Sequence, residues 1–255
     1  MVLSAADLLA AWENGATQRP VERALILLAA AWPETPAAVV AQMSIGQRDG
    51  LLLTVQEQLF GPRLAGLARC PECQERLELT FTVADIRAPL ADQGDELAVS
   101  APTNPVLSLA VDSYQVLFRL PNSSDLLAVV PTDDTDTARQ SLLRRCILSV
   151  ERDGTDATAP VLADLPEGLV QTLTTHMEVA DPQGNVQLAL DCPVCGHQWL
   201  LAFDILTYLW SEIEAWARRT LREIHLLASA YGWSEQEILG LSARRRQLYL
   251  EMVLG

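Results

Sequence analysis

Lysine is absent from this chain. All 18 basic residues are arginine and stand against 33 acidic ones, for a net charge of −15. Binding to the phosphate backbone of DNA or RNA relies on Lys and Arg displacing condensed counterions, so this balance argues against sequence-independent nucleic-acid binding. Arginine suits planar, bidentate contacts to carboxylates, although a GC-rich genome leaves the same bias without functional meaning. Long apolar runs are also missing. Residues 24–31 form one such run, well below the ~20 residues that span a bilayer. The start, Met-Val-Leu-Ser-Ala-Ala-Asp, has neither a basic leader nor a small-residue cleavage site after an apolar stretch, so a chain that stays in the cytoplasm is expected. The three histidines, His176, His197 and His225, fall in no metalloprotease helix motif, and neither a glycine-rich phosphate loop nor a nucleophile elbow occurs. An enzyme is therefore not expected.

What is present is length and pattern. A chain of 255 residues, 49% hydrophobic, suffices for one elaborate domain or two modest ones. Residues 1–65 read as helical. Ser4 or Asp7 can cap a short helix through Trp12 that Asn14-Gly15 breaks, and Pro20 opens another over 21–32, stopped by Pro33 and Pro36. Residues 47–60 place Leu51, Leu52, Val55 and Leu59 near one face before Gly61-Pro62. The period then changes: Leu77, Leu79, Phe81 and Val83 alternate with Glu78, Thr80 and Thr82, a strand with one buried face. Val186, Leu188 and Leu190 alternate in the same way, as do Trp199, Leu201 and Phe203.

Residues 85–184 form an inserted α/β segment of small-domain size. It contains a loop-like stretch 91–105, a hairpin of 107–111 and 114–120 around Asp112-Ser113, a short helix capped by Ser123 or Ser124, and helices over 137–150 and 166–179. Residues 205–255 are helical again. Asp204 caps a long helix to about Ala230, with Leu209, Ile213, Trp216, Ala217, Thr220 and Ile224 in one stripe, and Gly232 ends it. Ser234 and Glu237 have capping-box spacing, and Ser242 caps a last helix. The expected class is α+β, mainly helical, with a four-cysteine zinc ribbon split between 66–84 and 185–204 and a C-terminal helical hairpin.

Cys70-Pro71-Glu72-Cys73 and Cys192-Pro193-Val194-Cys195 carry that ribbon. Cys-x2-Cys presents two sulfurs to one ion from a tight knuckle, and two pairs supply a tetrahedral site. Gly196 relieves the turn after the second pair, whereas Gln74 stands at the matching place after the first, where it is expected to distort the turn. The knuckles lie far apart in sequence, and pairing between their flanking strands would bring them together. A redox dithiol is the alternative, but neither pair has a thioredoxin-like context, and cytosolic thiols are usually kept reduced. A complete thiolate shell leaves no open position for water, so a Zn2+ ion there supports folding and not hydrolysis. Iron satisfies the same ligand set. His197 is close enough to replace a cysteine or to act beside one, its ordinary reading being a ribbon-face histidine. Cys146 reads as a small core residue.

Asp133, Asp134 and Asp136 can attract a cation, but the glycine and terminal glutamate of an EF-hand are missing, and acidic loops are usually just solvated. Arg244, Arg245 and Arg246, after a helix-turn-helix-like segment, make the best case for nucleic acid. That case is weak, since helix pairs are common and surface arginines pair with residues such as Glu251. Trp210, Trp216, Tyr231, Trp233 and Tyr249 crowd the same region, and any of them left exposed would make a protein-binding patch. Trp233 and the three arginines are the candidate partner-binding residues.

Several short motifs occur in a telling order: Ser44-Ile45-Gly46-Gln47-Arg48-Asp49 before a leucine-rich helix, the first cysteine pair, Leu120-Pro121-Asn122-Ser123-Ser124-Asp125-Leu126, and Cys192 through Trp199. Glu223-Ile224-His225-Leu226-Leu227-Ala228, Tyr231-Gly232-Trp233-Ser234-Glu235 and residues 245–250 follow. From about Gln42 to Val253 the chain resembles the baseplate hub assembly chaperones of T-even-type and other contractile-tailed phages, including relatives in phage-tail-like injection systems. The resemblance implies a nonenzymatic factor in the cytoplasm or on the assembled particle, holding a hub or spike protein until it is incorporated. It leaves a retained baseplate subunit open. A zinc-ribbon nucleic-acid adaptor and a metalloenzyme are the rivals from other classes.

Overall fold

The computed structural model describes residues 3–88, 104–129, 134–152, 155–157 and 165–255. Asp133 and most of the stretch 91–105 lie outside them. The architecture is α+β, and the chain divides into two compact units, Met1–Pro33 with Leu206–Gly255, and Glu34–Ile205.

The first unit opens with α1 (Ala5–Gly15), where Ser4 and Asp7 exchange capping bonds. The helix runs through Asn14-Gly15, the expected break. Gly15 serves contact instead: a Cβ there would lie 2.4 Å from the Trp210 ring. Arg23 bonds the carbonyls of Gly15 and Ala16 at 3.0 Å and lies 4.6 Å over that same ring. Pro20 opens α2 (Pro20–Ala31) as expected.

The second unit begins with α3 (Ala37–Gln42), which no sequence signal announced, and α4 (Ile45–Phe60). Ser44 and Gln47 form a reciprocal cap on α4, which buries Leu52, Leu53 and Val55 and ends at Gly61 with φ 90°. β1 (Arg63–Arg69) and β2 (Arg76–Thr82) pair as an antiparallel hairpin, followed by the single turn α5 (Val83–Ile86). In the inserted segment β3 (Val106–Val111) and β4 (Tyr114–Arg119) form the expected hairpin, with Asp112 taking the left-handed turn position. The cap of α6 (Ser123–Ala128) is Asn122, one residue before the expected serines.

The helix expected over 137–150 stops early. α7 (Thr135–Cys146), capped by Asp134, gives way to β5 (Ile147–Arg152), which lies between β4 and β6 (Thr155–Ala157) in a sheet of order β3-β4-β5-β6. Pairing with β4 overrides the helical pattern of the preceding residues, as tertiary context often does. Packed on this sheet is α8 (Glu167–Ala180), the core between them holding Leu109, Phe118, Leu143 and Leu173. Cys146 belongs to this core, as expected, and burial pushes its thiol up to about 12. A 3₁₀ turn (Pro182–Gly184) leads to the antiparallel pair β7 (Gln187–Asp191) and β8 (Gln198–Ala202).

Two of the recognised motifs meet here. Asp181 accepts hydrogen bonds from Ser44 Oγ (3.0 Å) and the Gly46 N–H (2.8 Å), so it anchors the start of α4, and a Cβ on Gly46 would strike it. Ile45 N donates to the Pro121 carbonyl, and Ser44 bridges Asn122. Arg48 pairs with Asp49 at 2.7 Å and reaches Ser123 Oγ. Residues 44–49 and 121–125 therefore form a buried junction inside this unit.

The first unit resumes along α9 (Ile205–Tyr231), whose Leu209, Ile213, Ala217 and Thr220 are buried as the stripe predicts, and Gly232 ends it at φ 70°. α10 (Glu235–Leu239) carries the Ser234–Glu237 capping box, and Ser242 caps α11 (Ala243–Leu254). Leu9 from α1 joins Ile224, Leu227, Ile238 and Leu250 in one core.

Candidate metal centre

Each knuckle is the tip of its own hairpin. In the first, Cys70 N donates to the Glu75 carbonyl (2.9 Å) and Gln74 N to the Cys70 carbonyl (3.0 Å). In the second, Cys192 N donates to the His197 carbonyl and Gly196 N to the Cys192 carbonyl, both at 2.9 Å. Gln74 has φ 64° and Gly196 φ 73°, so the expected distortion is absent. Gln74 takes the glycine conformation, at a cost of roughly 1–2 kcal/mol, and its Nε2 donates to the Pro71 carbonyl at 3.1 Å. Gln74→Gly should therefore raise thermal stability, by about 0.5–1 kcal/mol after the glycine's larger unfolded-state entropy. A lowered melting temperature would mean that the bond to Pro71 outweighs the backbone strain.

The expected route by which the knuckles meet is not the one used. β2 and β7 belong to separate two-stranded sheets and do not pair. The hairpins are joined side chain to side chain, by Phe81 set edge-on to Phe203 at 5.4 Å and by the sulfurs. Cys70 Sγ lies 3.6 Å from Cys195 Sγ and Cys73 Sγ 3.5 Å from Cys192 Sγ, with all four within 4.8 Å of one another. A disulfide would need ~2.05 Å. A tetrahedral shell at ~2.3 Å from its ion separates sulfurs by ~3.8 Å, close to the observed spacing. The clustered thiols titrate together: the N–H groups of Cys195 and then Val194, outweighing burial, draw the Cys192 thiol down to about 7, whereas at Cys73 and Cys195 the N–H groups are outweighed by burial and the neighbouring sulfurs, which push those thiols up. Four sulfurs this close repel one another when ionised, and a central cation removes that penalty. The donor set can thus hold a metal ion, and among the described residues it is the one such cluster. His197 stacks on Trp199 at 5.9 Å while its carbonyl closes the knuckle.

Other candidate residues fall elsewhere. Asp134 accepts from the Asp136 N–H and caps α7. Arg246 is buried, donates to the Leu241 carbonyl at 2.9 Å and lies 3.4 Å from Glu223, which ties α11 to α9. Arg244 and Arg245 are exposed. Trp233 is half-buried, stacked on Tyr231 at 4.6 Å and edge-on to Tyr249 at 4.9 Å. The junction of Asp181 with Ser44 and Gly46 was not anticipated, since 137 residues separate Ser44 from Asp181.

Fold and cluster together define an α+β protein whose second unit is clasped by four thiols able to hold a metal ion. A model of the T4 bacteriophage base plate protein family matches residues 3–210, and the chain belongs to that family. No curated protein and no solved structure matches the chain. Membership ties it to a structural or assembly role in a phage-type baseplate. Among the described residues no helix is long and apolar enough to cross a membrane.

Proposed function

We propose that the chain is a nonenzymatic, zinc-binding assembly factor for the baseplate or hub of a contractile tail or tail-like injection system, holding a hub or spike component until it is incorporated. The observation that carries this reading is a complete four-thiol cage in a member of the baseplate family. A filled shell stabilises a scaffold and leaves no site to activate water. Zn2+ suits it because it accepts four thiolates tetrahedrally without redox chemistry. Cys70, Cys73, Cys192 and Cys195 would hold the ion. The partner would be engaged by the C-terminal helices through Trp233, Arg244 and Arg245, with Arg246 as the strut beneath them. Affinity capture from cells expressing the whole tail cluster should recover a hub or spike protein, and Trp233→Ala should reduce the yield at unchanged zinc content. Recovery of no tail protein would remove the assembly reading, and undiminished capture would remove Trp233 from the interface. A stoichiometric amount in purified particles would instead make the chain a retained subunit.

A further inference from the structure

We propose that the clasp has a second, covalent form, in which peroxide converts the four thiols into two disulfides that cross between the hairpins, Cys70 with Cys195 and Cys73 with Cys192. Exposure narrows the ways in which the sulfurs can pair. Cys73 and Cys195 are exposed, whereas Cys70 and Cys192 are buried, so peroxide meets one sulfur of each knuckle and a buried thiol must complete each bond. The buried partner lies either in the same knuckle or in the facing one. The close sulfur contacts decide for the facing one, since both run between the hairpins, Cys70 to Cys195 at 3.6 Å and Cys73 to Cys192 at 3.5 Å. A disulfide at ~2.05 Å requires each pair to close by about 1.5 Å, a shift within the reach of side-chain rotation.

The exposed sulfur attacks one peroxide oxygen, the O–O bond breaks, and the other oxygen leaves as water. The sulfenic acid so formed is attacked at sulfur by the buried partner, which makes the S–S bond and releases the second oxygen as water. Each disulfide thus consumes one peroxide and two thiols and yields two waters, and where the sulfurs start as thiolates the two protons come from solvent. No ligand sulfur then remains for an ion. The restraint on the fold survives all the same. Cys70 and Cys195 stand 125 positions apart and Cys73 and Cys192 119, so the crossing bonds close the same long loop as a shared ion. Disulfides inside the knuckles would do the opposite, closing only short rings and leaving the two hairpins unlinked. The clasp therefore stays shut in oxidising surroundings that strip thiolate-held metal. The proposal rests on the four-thiol zinc cage of the reading above and not on its assembly role.

In the test, the full, zinc-loaded chain receives two molecules of hydrogen peroxide per chain. Remaining thiols are blocked, and disulfides are mapped by mass spectrometry, with cleavage after Glu72 separating Cys70 from Cys73. Links from Cys70 to Cys195 and from Cys73 to Cys192 should dominate, Cys146 should remain a thiol, and the zinc should appear free in solution. The oxidised chain should melt within about 5 °C of the untreated one. Disulfides within either knuckle, links from Cys70 to Cys192 or to Cys146, or sulfinic acids at Cys73 and Cys195 would overturn the proposal, as would a melting temperature as low as that of the reduced, chelated chain. Zinc content of the untreated, reduced chain tests the cage separately. A chain that took up no zinc yet formed the crossing disulfides would remove the ion from the proposed function and leave the covalent clasp standing.

Discussion

Under the proposed zinc clasp, Cys192→Ser is expected to release the ion and loosen or unfold the Glu34–Ile205 unit. Cys192 is buried, with its Sγ 3.5 Å from that of Cys73, 119 positions earlier in the chain. A serine hydroxyl stays protonated at neutral pH, so the cage loses one of its four anionic ligands and gains a position open to water. The clasp also closes a long loop, and a cross-link over about 100 residues restrains the unfolded chain by about 4–5 kcal/mol. For a unit of this size that corresponds to a fall in melting temperature of about 10–20 °C. Trp199 is the single tryptophan of Glu34–Ile205, so with 5-fluorotryptophan its fluorine resonance separates melting of this unit from that of the other. A strong chelator under reducing conditions should have the same effect on the wild type and little on the variant. A variant that kept stoichiometric metal and its full melting temperature would show that the cluster is not a structural clasp.

Asp125→Ala should be nearly as damaging without touching a sulfur. Asp125 is 1% exposed and accepts two bonds from Arg119 (2.5 and 2.8 Å), one from Arg145 (3.0 Å) and one from the Asn122 N–H (3.1 Å). Removing the carboxylate leaves the arginines without their counter-ion, which for a buried pair costs about 3–5 kcal/mol. Arg145 is partly solvated, so the lower half of that range applies. Burial pushes this carboxyl up, but Arg119, then Asn122 and Arg145, outweigh it and hold it below the usual range. A depressed folded pKa contributes stability above the unfolded value of ~3.9 and loses it as the pH falls through the folded value. Urea midpoints of the wild type and Asp125→Asn, read on Trp199, should therefore differ at pH 7 and begin to converge as the pH falls below about 4. Equal midpoints at pH 7 would show that the network contributes nothing.

Local patterns were legible wherever one short stretch carried the whole cause. The Ser4, Ser234 and Ser242 caps lie at the expected helix starts, whereas α4 begins at Ile45, capped by Ser44, two residues before the expected start, and Pro20 and Gly232 punctuate as their backbone restrictions require. The hairpin around Asp112-Ser113 followed from alternation on both sides of a turn. β1 escaped notice because Ala65 and Gly66 weaken its strand signal, and β5 because its residues continue a helical pattern until β4 offers them a partner. Gly15 shows the same limit. A glycine before an exposed turn and a glycine facing an indole ring look identical in sequence, and only the presence of Trp210 distinguishes them.

By itself the sequence determined the ligand chemistry: two Cys-x2-Cys knuckles, each formed by backbone bonds within a few residues of its cysteines. Only the tertiary structure decided that the knuckles meet, and that they do so without pairing between β2 and β7, since convergence depends on contacts such as Phe81 with Phe203. The same holds for Ser44 through Asp49, legible as a family mark but explained only by Asp181. Local hydrogen bonds are encoded within a turn or two of chain, whereas contacts over more than 100 residues arise from the packing of the whole unit.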